Sequence, residues 1–118
     1  MHRKFLFIKE NKLLCSVHVP TNMKVFVMQG QILCYPTKTS VHIGNDVHIL
    51  DEYGTYLTHS FKPNCRIDGF NVIAIKNIIP GDVLTYDFNK TEINMVEPFI
   101  HDGILVGGIK HTNLHQIY

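Results

Sequence analysis

The chain has 118 residues, 45% of them hydrophobic, and carries 11 Lys and Arg against 10 Asp and Glu. That length suits one domain with a core large enough to fold alone, and the balanced charge argues against a general electrostatic binder of nucleic acid or of an anionic membrane. No apolar run reaches membrane-spanning length, Met1-His2-Arg3-Lys4 leads into a mixed segment and not a signal-peptide core, and the three scattered cysteines form no disulfide framework, so an intracellular, reducing location is expected.

Residues 4–8 and 12–19 are β-rich runs around the polar Lys9-Glu10-Asn11, which reads as a hairpin. Residues 23–28 give a third short apolar run between turns, and residues 32–35 another, closed by Pro36. Val41-His42-Ile43 and Val47-His48-Ile49 mirror each other around Gly44-Asn45-Asp46, a strong hairpin signal. The alternation puts His42 and His48 on one face, a pair that reads as a metal-binding or titrating site or, more often for such a pair, as the wet face of that hairpin. A further hairpin joins Arg66-Ile67 to residues 72–78 through Asp68-Gly69-Phe70-Asn71, and Pro80-Gly81-Asp82 turns into a strand at residues 83–88. Asn89-Lys90-Thr91-Glu92 starts a helical turn that Pro98 would end, and glycines loosen the remaining tail around Ile104-Leu105-Val106. With no useful 3.6-residue period before residue 90, the expectation is a mostly β domain of small sheets with little helix.

Most information lies between Gly54 and Phe88. Two polar-aromatic blocks, residues 56–64 and 82–88, bracket a hairpin and mix buried-type side chains with Thr58, His59, Ser60, Asn64, Thr85, Tyr86 and Asp87. Buried polar groups cost stability unless they find partners, so the two blocks are expected to meet and build a site.

These blocks resemble the signatures of SET domains, the fold of protein-lysine methyltransferases that use S-adenosylmethionine. Thr58-His59-Ser60-Phe61-Lys62-Pro63-Asn64 is similar to the family's N-H-S-C-x-P-N. Ala74, Ile78, Gly81, Asp82 and residues 84–88 are similar to its A-x-x-x-I-x-x-G-E-E-L-T-Y-D-Y. The likeness extends to Pro36-Thr37-Lys38-Thr39-Ser40 with Ile43-Gly44 and to His48-Ile49 with Tyr53-Gly54, as in compact microbial members, and to Asn89-Lys90-Thr91-Glu92 with Met95, Glu97, Pro98 and Phe99. It implies a SET domain over residues 1–89, a post-SET-like tail over residues 90–118, and a knot-like crossing of the two blocks. It also implies a methyl donor held at Asn11, Lys12, Leu13, Thr58 and His59, and a lysine amine entering between Tyr86 and Phe88.

The chain departs from the family pattern at four places. Phe88 replaces a tyrosine whose hydroxyl orients the amine, and Thr58 replaces an asparagine. Glu10-Asn11-Lys12 stands where G-x-G lets backbone approach the cofactor, and the tail lacks the three cysteines that bind zinc with the one at Cys65. No zinc is expected, since Cys65, His101 and His111 are irregularly spaced for a site. Tyr86 reads equally as the aromatic that limits methyl number or as a buried strand residue, and His59 as a cofactor contact or a core brace. His111 and His115 read as solvated, and Cys15 and Cys34 as small buried hydrophobes. Two functions follow: a lysine methyltransferase of reduced activity, or an inactive SET fold kept for peptide binding or dimerisation. The expected partners are a lysine-bearing protein or peptide or a second copy of the chain, not nucleic acid or a membrane. The expected location is the cytoplasm, with nucleus or nucleoid as alternatives.

Overall fold

The computed structural model describes residues 3–44, 46–92 and 98–108. A 3-10 turn at Arg3–Phe5 leads into β1 (Leu6–Lys9) and β2 (Lys12–Cys15), an antiparallel hairpin in which Lys9 pairs with Lys12. Its two-residue turn holds Glu10 and Asn11 at φ of 54° and 62°, the geometry that matches the twist of the flanking strands. Next come β3 (Lys24–Val27), β4 (Gln31–Leu33), β5 (Val41–Gly44) and β6 (Val47–Leu50). A second 3-10 turn at Gly54–Tyr56 delivers the chain to β7 (Thr58–His59), followed by β8 (Cys65–Asp68), β9 (Asn71–Ala74) and β10 (Thr85–Tyr86). One helical turn, α1 (Phe88–Thr91), precedes the hairpin of β11 (Phe99–His101) and β12 (Ile104–Val106).

Among the described residues these strands make five sheets of two or three strands, so the mostly β architecture with little helix holds. β9 lies between β3 and β8, β6 lies between β4 and β5, and β7 pairs with β10. The sheets surround one core, in which Leu13, Phe26, Ile49, Val72, Ile78 and Leu84 are fully buried. No helix among the described residues is long and apolar enough to cross a membrane.

Several expectations change. Phe88 opens α1 instead of ending a strand, because the Asp87 side chain accepts from the Asn89 N–H and caps the helix. That helix stops at Thr91, with Glu92 already extended, well before Pro98. Cys34 is exposed, whereas Cys15 and Cys65 are buried. His42 and His48 are buried too, at 7% and 6% exposure, so theirs is no wet face. They stand opposite each other in the β5–β6 register, their ring centres 4.8 Å apart. The ladder is irregular between His42 and Gly44, α1 packs beside β5, and Glu92 accepts the in-plane His42 N–H at the β5 edge at 2.8 Å. His111 and His115 lie outside the described residues.

One organising residue carries no local sequence signal. The Asp51 carboxylate is fully enclosed and accepts from Arg3 Nη1 at 2.8 Å and Nη2 at 3.2 Å. It also accepts the backbone N–H groups of Gln29 (2.6 Å), Tyr53 (2.7 Å) and Gly54 (2.7 Å). Beside this knot, a Cβ at Gly30 would collide with the Leu50 carbonyl, so only glycine lets β4 approach so closely. Burial pushes the Asp51 pKa up, but the Arg3 guanidinium and the three N–H donors outweigh it and hold the carboxyl below its ordinary range. A carboxyl depressed in the folded state contributes stability above its unfolded pKa of about 4, and that stability is lost as pH falls through the folded value. Asp51→Ala is expected to cost about 3 kcal/mol in urea denaturation at pH 7, because it strands the Arg3 guanidinium and three N–H groups. The variant should also lose part of the wild-type decline in stability below pH 4.

Candidate functional site

The two polar-aromatic blocks do meet. β7 and β10 run parallel, with Thr85 opposite Thr58 and Tyr86 opposite His59. Thr58 N–H donates to the Leu84 carbonyl (3.2 Å) and Ser60 N–H to the Tyr86 carbonyl (3.1 Å). A parallel pair this short cannot hold itself together, and Asn64 supplies the missing bonds. Its Nδ2 donates to the Val83 carbonyl (2.8 Å), its Oδ1 accepts the Thr85 N–H (2.9 Å), and its own N–H donates to Thr85 Oγ1 (3.0 Å). The side-chain amide thus acts as an extra strand residue between the blocks, a role that needs a donor and an acceptor together.

His59 adds a second tie. Its Nδ1 accepts the Phe88 N–H at 3.1 Å, so in the neutral ring the proton sits on Nε2. That Nε2 is buried and has no hydrogen-bond partner among the described residues. Four rings pack edge-on to the His59 imidazole, with centre-to-centre distances of 4.4 Å for Phe61, 5.2 Å for Phe88, 5.8 Å for Phe99 and 5.3 Å for His101. Burial lowers the His59 pKa, and His101 lowers it further. The Asp87 carboxylate, 3.9 Å from Nδ1, opposes them without reversing the shift.

Tyr86 is 3% exposed and its ring centre lies 4.7 Å from that of Phe88. Burial, with the Glu92 carboxyl adding to it, raises the Tyr86 pKa well above the ordinary phenol range, so its hydroxyl stays protonated. Both rings line a cavity of about 160 Å³, closed by residues 37–41, Gly54, Thr55, Leu57 and Glu92. This is smaller than cavities that take a whole drug-sized ligand and is of the size of a side chain. A second cavity of about 290 Å³ lies against Pro63, Cys65, Ile67, Ile75, Tyr86, Asp87 and Lys90. Tyr86 therefore walls both.

The five residues expected at the methyl donor are placed unequally. Leu13, Leu84 and Thr58 are neighbours, because Leu84 N–H donates to the Leu13 carbonyl (2.8 Å) while its own carbonyl accepts from Thr58. Thr58 and His59 thus lie one strand away from Leu13. Asn11 and Lys12 are exposed at the tip of the β1–β2 hairpin, and none of the five lines either cavity. Cys65 is buried, and its thiol is pushed up to about 12, chiefly by burial, so it is a protonated core group. The β11–β12 hairpin reaches the site by way of Asn89. Its Nδ2 donates to the Leu105 carbonyl (3.1 Å), and its Oδ1 accepts the N–H groups of Gly107 (3.2 Å) and Gly108 (3.0 Å).

Glu92 is the site residue that sequence reading passed over. It is 6% exposed, it lines the smaller cavity, and burial pushes its pKa up to about 7 against the lowering effect of the His42 N–H. Its position just after the second block was the available signal.

No protein-family model matches the chain, and no curated protein matches it. The crossing itself can be tested by stability. Asn64→Ala should cost about 3 kcal/mol in urea, since it leaves the Val83 carbonyl and the Thr85 N–H without partners. In a double-mutant cycle Thr85→Val should couple to it by about 1 kcal/mol. Additive losses below about 0.5 kcal/mol would mean that the two blocks do not depend on this clamp.

Proposed function

We propose that the chain is a SET-like domain that takes a lysine side chain into the cavity lined by Tyr86 and Phe88, whose rings pack too closely to admit it between them, and works as an S-adenosylmethionine-dependent protein-lysine N-methyltransferase of reduced activity. The observation that carries this reading is the parallel pairing of Thr58-His59 with Thr85-Tyr86, which brings the two signature-like blocks together beside a side-chain-sized cavity. When bound, the cofactor supplies a methyl group on a positive sulfur. The chain's own residues align the amine and shield it from bulk water.

His59 and Thr58 are the residues that would hold the methyl donor. The buried Nε2–H of His59, which has no acceptor among the described residues, supports this. Asn11 and Lys12 at the hairpin tip are weaker contacts, and Leu13 can offer only backbone whose carbonyl Leu84 already uses. Tyr86 walls the channel and limits its width. Phe88 keeps the aromatic wall but brings no hydroxyl to the amine, and loss of one positioned donor at a reacting centre commonly costs about a hundredfold or more. The partner on this reading is a lysine-bearing protein or peptide inside the cell.

The alternative is a binding module that keeps the groove without the chemistry. Phe88 and the exposed Asn11 and Lys12 favour it. Binding of S-adenosylhomocysteine separates the two. At a hundred times its Kd the ligand should add about 2.7 kcal/mol of stability in a thermal-shift or calorimetric titration. No shift at millimolar ligand would leave only the binding module. If the ligand binds, Phe88→Tyr is expected to raise methylation of a lysine peptide mixture about a hundredfold.

A further inference from the structure

Glu92 is a buried carboxyl facing a cavity, and its surroundings do not explain what charge it serves. One oxygen, Oε2, accepts the His42 N–H at 2.8 Å. Burial and that N–H are the influences on its acidity. Lys38 also lines the cavity and is engaged in an interaction of its own. A buried carboxylate without a counter-charge costs free energy, and proteins ordinarily neutralise it or pair it. Asp51 shows the ordinary solution in this same chain, with Arg3 and three N–H donors around it. Among the described residues Glu92 has one donor, and it borders an opening. The rings of Tyr86 and Phe88, whose faces attract cations, line the same opening.

We propose that Glu92 is the positioning residue for a cationic ligand head, a primary or methylated alkylammonium, which enters the cavity that Tyr86 and Phe88 line and supplies a counter-charge that no described residue is seen to provide. The inference rests on the reading above for the direction from which the amine arrives. The assignment of Glu92 rests on the cavity and the carboxyl alone. It also compensates chemically for Phe88: where the resembled family orients the amine with a hydroxyl, a carboxylate would hold it here by a charge-assisted hydrogen bond.

The facing groups fix the pH dependence. Tyr86 on β10 stays a neutral phenol, the His42 contribution from β5 is a backbone N–H, and Lys38 lies in the loop between β4 and β5. The group that titrates in the useful range is therefore Glu92, about half ionised near pH 7. Alkylammonium binding should strengthen as pH rises through 7 and weaken again as the amine loses its proton near about 10.

The test is a calorimetric or NMR titration of the full chain with a lysine peptide and its norleucine counterpart, at pH 6 and pH 8.5, with and without S-adenosylhomocysteine. Glu92→Gln keeps an oxygen for the His42 N–H and removes the charge. Expected are tighter binding of lysine than of norleucine at pH 8.5, a smaller margin at pH 6, and a loss of about tenfold in Glu92→Gln. Equal binding of lysine and norleucine by the wild type, or a lysine preference that does not change with pH, would overturn the role of Glu92 even if the variant failed to fold. Homocysteine-ligand binding without a lysine preference would sink this inference and leave the methyl-transfer reading standing. A Glu92-dependent lysine preference without homocysteine-ligand binding would do the reverse.

Discussion

The fold depends on a crossing that backbone alone could not maintain. β7 and β10 contribute two residues each, and a parallel ladder of that length lacks the cooperativity that holds longer strands. Asn64 makes up the deficit by placing an amide between Val83 and Thr85, and His59 does so by accepting the Phe88 N–H with its ring. Both ties join side chain to backbone across about 20 or more residues, so they fix topology as well as geometry. Everything in the site hangs from them: the Tyr86 ring, the start of α1 at Phe88, and through α1 the position of Glu92.

The two buried carboxyls illustrate how environment separates chemically similar groups. Asp51 is saturated with donors and its pKa is driven down, which suits a structural pin between the N-terminal turn, β4 and the turn before β7. Glu92 is buried with one donor and its pKa is driven up to about 7, which suits a group that changes charge when something binds. Pairs of acids pushed apart in this manner commonly mark where a fold is braced and where it works.

Much of this was legible in the sequence because the signals were local. The Glu10-Asn11 turn, the Gly69 turn and the mirrored Val-His-Ile segments each announced a hairpin that forms. The meeting of the two blocks was legible because Thr58, His59, Asn64 and Thr85 were too polar for strands that lacked partners. The misreadings share one cause, that the face of a short strand is decided by what packs on it later. His42 and His48 were assigned to solvent because alternation offers two faces, yet both are buried in a hairpin beside which α1 and Glu92, some 50 residues on, pack. Asp51 and Glu92 escaped for the same reason, since a single acid has no periodicity to reveal burial. Phe88 changed from strand to helix through a cap at Asp87 that only the folded backbone exposes.

The account stands or falls on whether the blocks cross as described, and native-state amide hydrogen exchange tests this most directly. The N–H groups of Thr58, Ser60 and Phe88 bond to Leu84, Tyr86 and the His59 ring. They should exchange only through global unfolding, with protection matching that of core amides such as Val72. Exchange of these three at the rate of exposed turns, with the β8–β9 hairpin still protected, would contradict the crossing and with it the site built on it.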